Sequence, residues 1–267
     1  MSKLSGKVVV ITGASSGIGK ALLEASLKRG ARVAVCARNT SGIMAEFQGN
    51  ENVFCYQADV TKESDCRNFI DAVMGKWGGI DVLINNAGIS MRALFAQTDI
   101  SVIKELMDVN FWGTVYCTRF AINSIISRRG VVAGVSSIAG YRGLPCRTGY
   151  SASKFAMQGF LESLRTELLH TGAHVMWVSP GFTASNIRNV ARAADGGIQG
   201  ETPLDEKKLM TAAQCATIIL DGVESRKRSI VMTAQGKLTV WMNKLFPALA
   251  DKLVFNHFKN EPDSPLK

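Results

Sequence analysis

The 267-residue sequence lacks a long apolar run, a metal-ligand cluster and a disulfide framework. A membrane-spanning helix needs about 18 unbroken apolar residues, and no stretch reaches that length. The segment Met1-Ser-Lys-Leu-Ser-Gly-Lys7 has no apolar signal region ahead of the first strand-like run, so export is not expected. The six cysteines, at 36, 55, 66, 117, 146 and 215, form no Cys-x-x-Cys pair and are spread along the chain. Reduced thiols in a cytoplasmic protein are the expectation. The three histidines, His170, His174 and His257, lack two further ligands at metal spacing, so no metal site is expected.

Acidic residues are also short in supply, which leaves a formal net charge of +9. A basic balance can serve nucleic acid, an anionic membrane or an anionic ligand. Here the cations are scattered, with short clusters only at Arg128-Arg129, Lys207-Lys208 and Arg226-Lys227-Arg228. No aromatic-basic stacking motif accompanies them, so a nucleic-acid partner is not expected. Hydrophobic residues make up 46 % and charged residues 20 %, enough to bury a core.

What is present is an alternation. β-branched runs at Lys7–Thr12, Arg32–Ala37, Val53–Gln57, Asp81–Ile84, Val131–Ser136, His174–Ser179 and Ser229–Met232 are separated by helical patterns. Those patterns fall at Ile18–Arg29, Lys62–Trp77, Ile100–Ile126, Ser151–Leu169 and Ala212–Val223. Continuous apolar strands with helical crossovers between them predict an α/β fold: a doubly wound parallel sheet of about seven strands. The length suits one domain over 1–267. The segment 183–210 interrupts the alternation and is the candidate for a mobile substrate-side loop. Residues 236–267 read as a helical C-terminal extension.

Between the first strand and first helix stands Thr12-Gly-Ala-Ser-Ser-Gly-Ile-Gly19. Gly13, Gly17 and Gly19 allow a tight turn and close backbone approach to a pyrophosphate. Ser15, Ser16 and Ile18 complete the turn, and the helix behind offers free N–H groups and a partial positive charge. The second strand ends Cys36-Ala-Arg-Asn39, without the carboxylate that would hold the ribose 2′-OH of NAD. Arg38 is there instead, and a guanidinium fits a 2′-phosphate, so NADP is expected over NAD.

Further motifs follow at regular intervals: Asp59 after the third strand, Asn85-Asn-Ala-Gly88 after the fourth, Asn110 in the long helical pattern, and Val135-Ser-Ser-Ile-Ala-Gly140 after the fifth strand. Tyr150-Ser-Ala-Ser-Lys154 and Pro180-Gly181 complete the series. Taken together over about residues 5–235, the chain resembles the short-chain dehydrogenase/reductase family. The resemblance implies Tyr150 as proton donor and acceptor, and Lys154 as the residue that lowers its pKa and holds the nicotinamide ribose. It implies Ser137 as the carbonyl-binding serine and Asn110 as the completion of a proton relay. Asp59 with Val60 would meet the adenine, Asn86, Ala87 and Gly88 the adenosine ribose, and Pro180 with Gly181 the nicotinamide. The family often has threonine where this chain has Ser185, a departure that weakens any carboxamide contact there. Family relatives are dimers or tetramers packed through long helices, so a homodimer or homotetramer is the expectation.

The residues support this chemistry independently. Positions four apart share a helix face, so Tyr150 and Lys154 can meet one ligand. A free tyrosine, with a pKa of about 10, is a poor base at neutral pH, and a nearby cation favours its ionisation. Ser137 can donate to an oxygen on which negative charge grows. The expected function is therefore NADP(H)-dependent hydride transfer to or from a small-molecule carbonyl or secondary alcohol. A non-catalytic NADP(H)-binding sensor or scaffold is the alternative.

The segments expected near the nicotinamide offer Met91, Leu94, Phe95, Leu144 and Phe182 as apolar walls, which suits a hydrophobic substrate. Arg92, Arg142 and Arg147 could instead select an anion. From Leu238 to Phe258 apolar residues recur at spacings of three and four, with Pro247 marking a break or a fresh helix start. That stripe is expected to pack on the protein's own body or on a sister subunit, near the substrate entrance. Contact with a membrane surface is the competing reading.

Overall fold

The computed structural model describes residues 2–183, 187–188, 190–200, 209–261 and 264–267. Its centre is a seven-stranded parallel sheet in the order β3-β2-β1-β4-β5-β6-β7. The strands are β1 (Val8–Thr12), β2 (Arg32–Ala37), β3 (Val53–Gln57), β4 (Val82–Asn85), β5 (Val131–Val135), β6 (His174–Ser179) and β7 (Ser229–Val231). Val9 pairs with Val33 on one side and Val82 on the other. β1, β4 and β5 are buried along their whole length, which is why they read as unbroken apolar runs.

Successive residues of β1 face opposite sides of the sheet. Val9 and Ile11 join Leu22, Leu23 and Ile219 in a core under α1 (Gly17–Lys28) and α7 (Ala212–Glu224). Val8 and Val10 join Phe69, Ile125 and Met157 in a second core. That one lies under α3 (Glu63–Trp77), α5 (Gly113–Ser127) and α6 (Thr148–Glu167). A short helix absent from the sequence reading, α2 (Ser41–Glu46), follows β2. It has six residues and buries only Ile43, too little periodicity to be legible.

After β3 the chain crosses back to place β4 beside β1, so the strand order reverses there. The crevice at the carboxyl ends of β1 and β4 is the switch point where open α/β sheets bind ligands. The long helical pattern of 100–126 is realised as α4 (Ile100–Met107) and α5, joined by a π-helical turn at Asp108–Trp112. That turn carries Asn110 and faces the switch point. Helix α6 begins at Thr148, three residues before the expected Ser151, which puts Tyr150 inside its first turn.

The described part of the 183–210 segment is anchored. Arg192 bridges to Met91 and forms a two-pronged ion pair with Glu105 of α4, at 2.6 and 2.8 Å. Ser185 lies outside the described residues.

The chain ends in α8 (Ala234–Leu245) and α9 (Pro247–Lys259), with Pro247 at the first helical position. Packing on the body holds for one edge only: Gly236, Ala250 and Phe258 are buried. Leu238, Trp241, Leu245, Phe246, Leu249, Leu253 and Phe255 remain exposed, so of the two expected partners, the body and a sister subunit, the body covers only part of the stripe.

Candidate active site

A cavity of about 640 Å³ opens at the switch point. At one end the β1–α1 turn is shaped by exclusion. A Cβ on Gly13, whose φ is +70°, would stand 2.7 Å from Ala87 Cα. A Cβ on Gly19 would stand 2.2 Å from the Gly13 carbonyl oxygen. Asn86 pins the turn, its Nδ2 donating to the carbonyls of Thr12 and Gly13 at 2.9 and 3.0 Å. Thr12 Oγ1 in turn accepts from the backbone N–H of Asn86 and Ala87. Ser16 caps α1 without a side-chain hydrogen bond, so its hydroxyl does not occupy the helix's first donors. A bare backbone cradle before a helix N-terminus fits a pyrophosphate.

Every residue expected to touch the cofactor lines this one cavity: Gly13, Ser15, Ser16, Gly17, Ile18 and Gly19 from the turn, and Arg38 from the end of β2. Asp59 and Val60 follow β3, Asn86 to Gly88 follow β4, and Pro180 with Gly181 follow β6. Asp59 Oδ1 accepts from Thr61, at 3.0 Å from its N–H and 2.8 Å from its hydroxyl, which fixes the carboxylate.

Ser137, Tyr150 and Lys154 line the same cavity. Ser137 caps a short 3-10 turn, its Oγ accepting from Ala139 N at 3.1 Å. Lys154 is buried; its Nζ donates to the Val135 carbonyl at 2.9 Å and lies 5.8 Å from the Tyr150 ring centroid. Burial pulls its ammonium down to about 8. Burial also raises the Tyr150 phenol above its usual value, opposed by a hydrogen bond with Ser137 and by the charge of Arg147. Lys154 Nζ is turned onto the Val135 carbonyl in this geometry.

Asn110 does not line the cavity. It is fully buried, with Oδ1 accepting from Ile89 N at 2.8 Å and Nδ2 donating to Ile89 O and Ser153 Oγ. It braces the Gly88–Ile89 backbone against α6, directly behind the site: a Cβ on Gly88 would stand 3.0 Å from its Oδ1 and 3.3 Å from Lys154 Nζ.

Sequence reasoning gave no role to Thr12, Ser153 or Gln158, whose Nε2 donates to Ser136 Oγ at 2.8 Å beside Ser137. Thr12 and Ser153 stood inside quoted motifs, and their hydroxyls were the available signal. Glu261 was also missed as a site neighbour, whereas Phe258 belongs to the stripe expected near the substrate entrance; both pack against Arg147, at the substrate end. Nothing in local sequence announces a contact across more than a hundred residues.

A parallel sheet with a glycine cradle at its switch point, and a serine, tyrosine and lysine converging beside it, defines a dinucleotide-dependent oxidoreductase class. A family model described as short chain dehydrogenase matches residues 7–196. The chain belongs to the short-chain dehydrogenase/reductase family. It is 39 % identical over 239 residues to "11-beta-hydroxysteroid dehydrogenase A" of Sesamum indicum, covering 86 % of this chain and 66 % of that one. A Burkholderia phymatum short chain dehydrogenase/reductase in complex with NAD superposes with TM-score 0.81 at 21 % identity, covering 93 % and 96 % of the two chains. A Burkholderia cenocepacia short chain dehydrogenase in complex with NADP gives TM-score 0.80 at 25 % identity, covering 94 % and 98 %. The protein is thus an oxidoreductase of a family that uses a nicotinamide cofactor.

Proposed function

We propose that the protein is an NADP(H)-dependent reductase or dehydrogenase of an apolar carbonyl or secondary alcohol. The observation that carries this is the sharing of one cavity by the glycine turn, Arg38, Ser137, Tyr150 and Lys154. When bound in this cavity, a nicotinamide would supply or accept the hydride. Ser137 Oγ donates to the substrate oxygen and holds it where negative charge develops. The Tyr150 phenol gives that oxygen its proton in reduction and takes it back in oxidation. Lys154 would hold the nicotinamide ribose; the family resemblance gives Asn110 its place in the proton relay, and its hydrogen bonds to Ile89 keep the backbone after Gly88 in place behind the cavity.

Arg38 supports the phosphate-bearing cofactor: it lines the cavity, and Cys36–Asn39 offers no carboxylate to a ribose hydroxyl. Leu144 and Phe182 line the other end and suit an apolar substrate. The 39 % identity over 239 residues to a protein named as a hydroxysteroid dehydrogenase also supports an apolar substrate. The test is consumption of NADPH and NADH side by side over a panel of ketones and aldehydes. Turnover with neither cofactor on any carbonyl would leave the sensor reading.

The proposed assembly is a homodimer or homotetramer through the long helices, where Trp112 and Phe155 are 42 % and 47 % exposed. The proposed setting is the cytoplasm, supported by six free cysteines. Among the described residues no helix is long and apolar enough to cross a membrane. The exposed face of α8 and α9, flanked by Lys237, Lys244 and Lys252, suits contact with an anionic membrane surface. Flotation of the full chain with anionic but not neutral vesicles would support that contact. A purely protein-mediated assembly without flotation would remove it.

A further inference from the structure

We propose that Arg147 is a specificity-determining residue that receives a carboxylate of the substrate, so that the substrates are oxo acids and their hydroxy acids with an apolar body. This deepens the oxidoreductase reading and rests on it. Arg147 is the N-cap of α6, three residues before Tyr150, and lines the cavity. It is only 9 % exposed. A guanidinium has five donors in a planar fork, and burying it without acceptors is costly. Among the described residues its one hydrogen bond runs from Nη1 to the Pro145 carbonyl at 3.5 Å. Its ion pair with Glu261 Oε2 is 3.8 Å long, beyond hydrogen-bond reach, and the same oxygen lies 3.4 Å from Arg92 Nη2. Burial accordingly pulls the Arg147 guanidinium below its usual value, with Glu261 opposing and Arg92 adding to the fall.

The side chain is nonetheless held firmly. The Phe258 ring lies 4.6 Å from its guanidinium carbon. Cys146, just before it, has a left-handed φ of +60°, and its carbonyl accepts from Ala93 N at 2.9 Å. Non-glycine residues rarely hold that conformation unless the surroundings enforce it. Glu261 is buried and does not line the cavity, so it steadies the fork from outside the cavity. A cation oriented by an aromatic face and a distant carboxylate, with donors left over beside the catalytic phenol, is arranged to grip two oxygens. Leu144 and Phe182 in the same cavity supply the apolar surface for the rest of the molecule. Glu261, beyond α9, thereby supports the substrate site from behind.

The experiment compares oxo acids, from acetoacetate to 4-oxo-4-phenylbutanoate, each with its methyl ester, under NADPH. In the wild type kcat/KM should favour the acid by about tenfold or more, mainly through KM. In Arg147→Met the acid-to-ester ratio should fall by about tenfold or more, and in Arg147→Lys by less, because the charge remains and the fork is lost. Glu261→Gln should raise KM for the acids more than for the esters. A wild type indifferent to the carboxylate, or a ratio unchanged in Arg147→Met, would overturn the proposal and leave Arg147 an anchor for the C-terminal segment only. If no carbonyl is turned over, the oxidoreductase reading fails separately. Calorimetric titration of the same acids onto the protein with NADP+ then decides: binding that is lost in Arg147→Met supports the carboxylate site, and no binding overturns it.

Discussion

At the cofactor end of the cavity a methyl group on Gly19 would stand 2.2 Å from a backbone oxygen, whereas near the substrate end one on Gly143 would meet nothing within 4 Å. The first region is shaped by what its backbone forbids, within short loops that follow consecutive strands. The second is shaped by side chains that arrive from the far end of the chain: Phe258 and Glu261 on Arg147, and Asn243 and Asp251 on Arg142. A backbone cradle presents the same N–H groups whatever the neighbouring side chains are, so it suits an invariant ligand. A wall made of side chains can be rebuilt for a new substrate without disturbing the cradle.

The largest effect should come where the two regions meet. Tyr150→Phe removes the proton donor but leaves the ring, so kcat should fall on the order of a hundredfold or more while NADPH binding persists. Steady-state rates beside fluorescence titration of NADPH measure both. Wild-type turnover in the variant would remove Tyr150 from the chemistry.

The next contrast tests the two glycines directly. Gly19→Ala should lose about 1–3 kcal/mol of stability or force the turn open, with a matching loss of NADPH affinity. Gly143→Ala should change neither by more than about 0.5 kcal/mol. Thermal unfolding and cofactor titration of both variants check the pair, and equal effects would mean the ends are not built differently.

Cofactor choice is comparable in energy and sharper in sign. Arg38→Asp should cost NADPH about 1.5–3 kcal/mol and repel its 2′-phosphate, while NADH is spared. The measurement is the ratio of kcat/KM for the two cofactors. An unchanged ratio would place the phosphate elsewhere.

The same division explains what could be read in advance. The sheet was legible because strands buried on both faces, such as VVVIT of β1, leave uninterrupted apolar runs. The cradle was legible because glycine is the residue that fits where Cβ atoms collide, as at Gly13 and Gly19. Asn110 was found through its motif, but its position behind the cavity was not, because a buried amide's partners come from Ile89 and Ser153, far away in sequence. The tail's helices and the break at Pro247 followed from periodicity. Which face they turn inward did not, since a stripe records apolarity and not its partner. Glu261 gave no signal at all: a lone carboxylate near a chain end normally reads as solvated, and only the fold brings Arg92 and Arg147 to it.

The last contrast is one of stability and belongs to Lys154, which lies where the two regions join. Burial lowers its ammonium to about 8 from the ordinary 10.5. Between those values the unfolded chain holds a proton that the native protein has released, so native stability rises with pH across that window. Relative to pH above 10.5, the stability from this group is lost as pH falls to about 8, and below that the deficit is constant. Lys154→Met removes the deficit but also the hydrogen bond to Val135, so the net gain at pH 7 should be on the order of 1 kcal/mol. The gain should shrink as pH approaches 10, because the wild type then no longer carries the buried charge. Turnover should be lost at every pH, which separates the lysine's service to catalysis from its cost to the fold. Thermal unfolding of both proteins at pH 7 and pH 9.5 reads the difference. A variant less stable than the wild type at pH 7, or an advantage that grows with pH, would show that the buried ammonium is held by its surroundings at no cost.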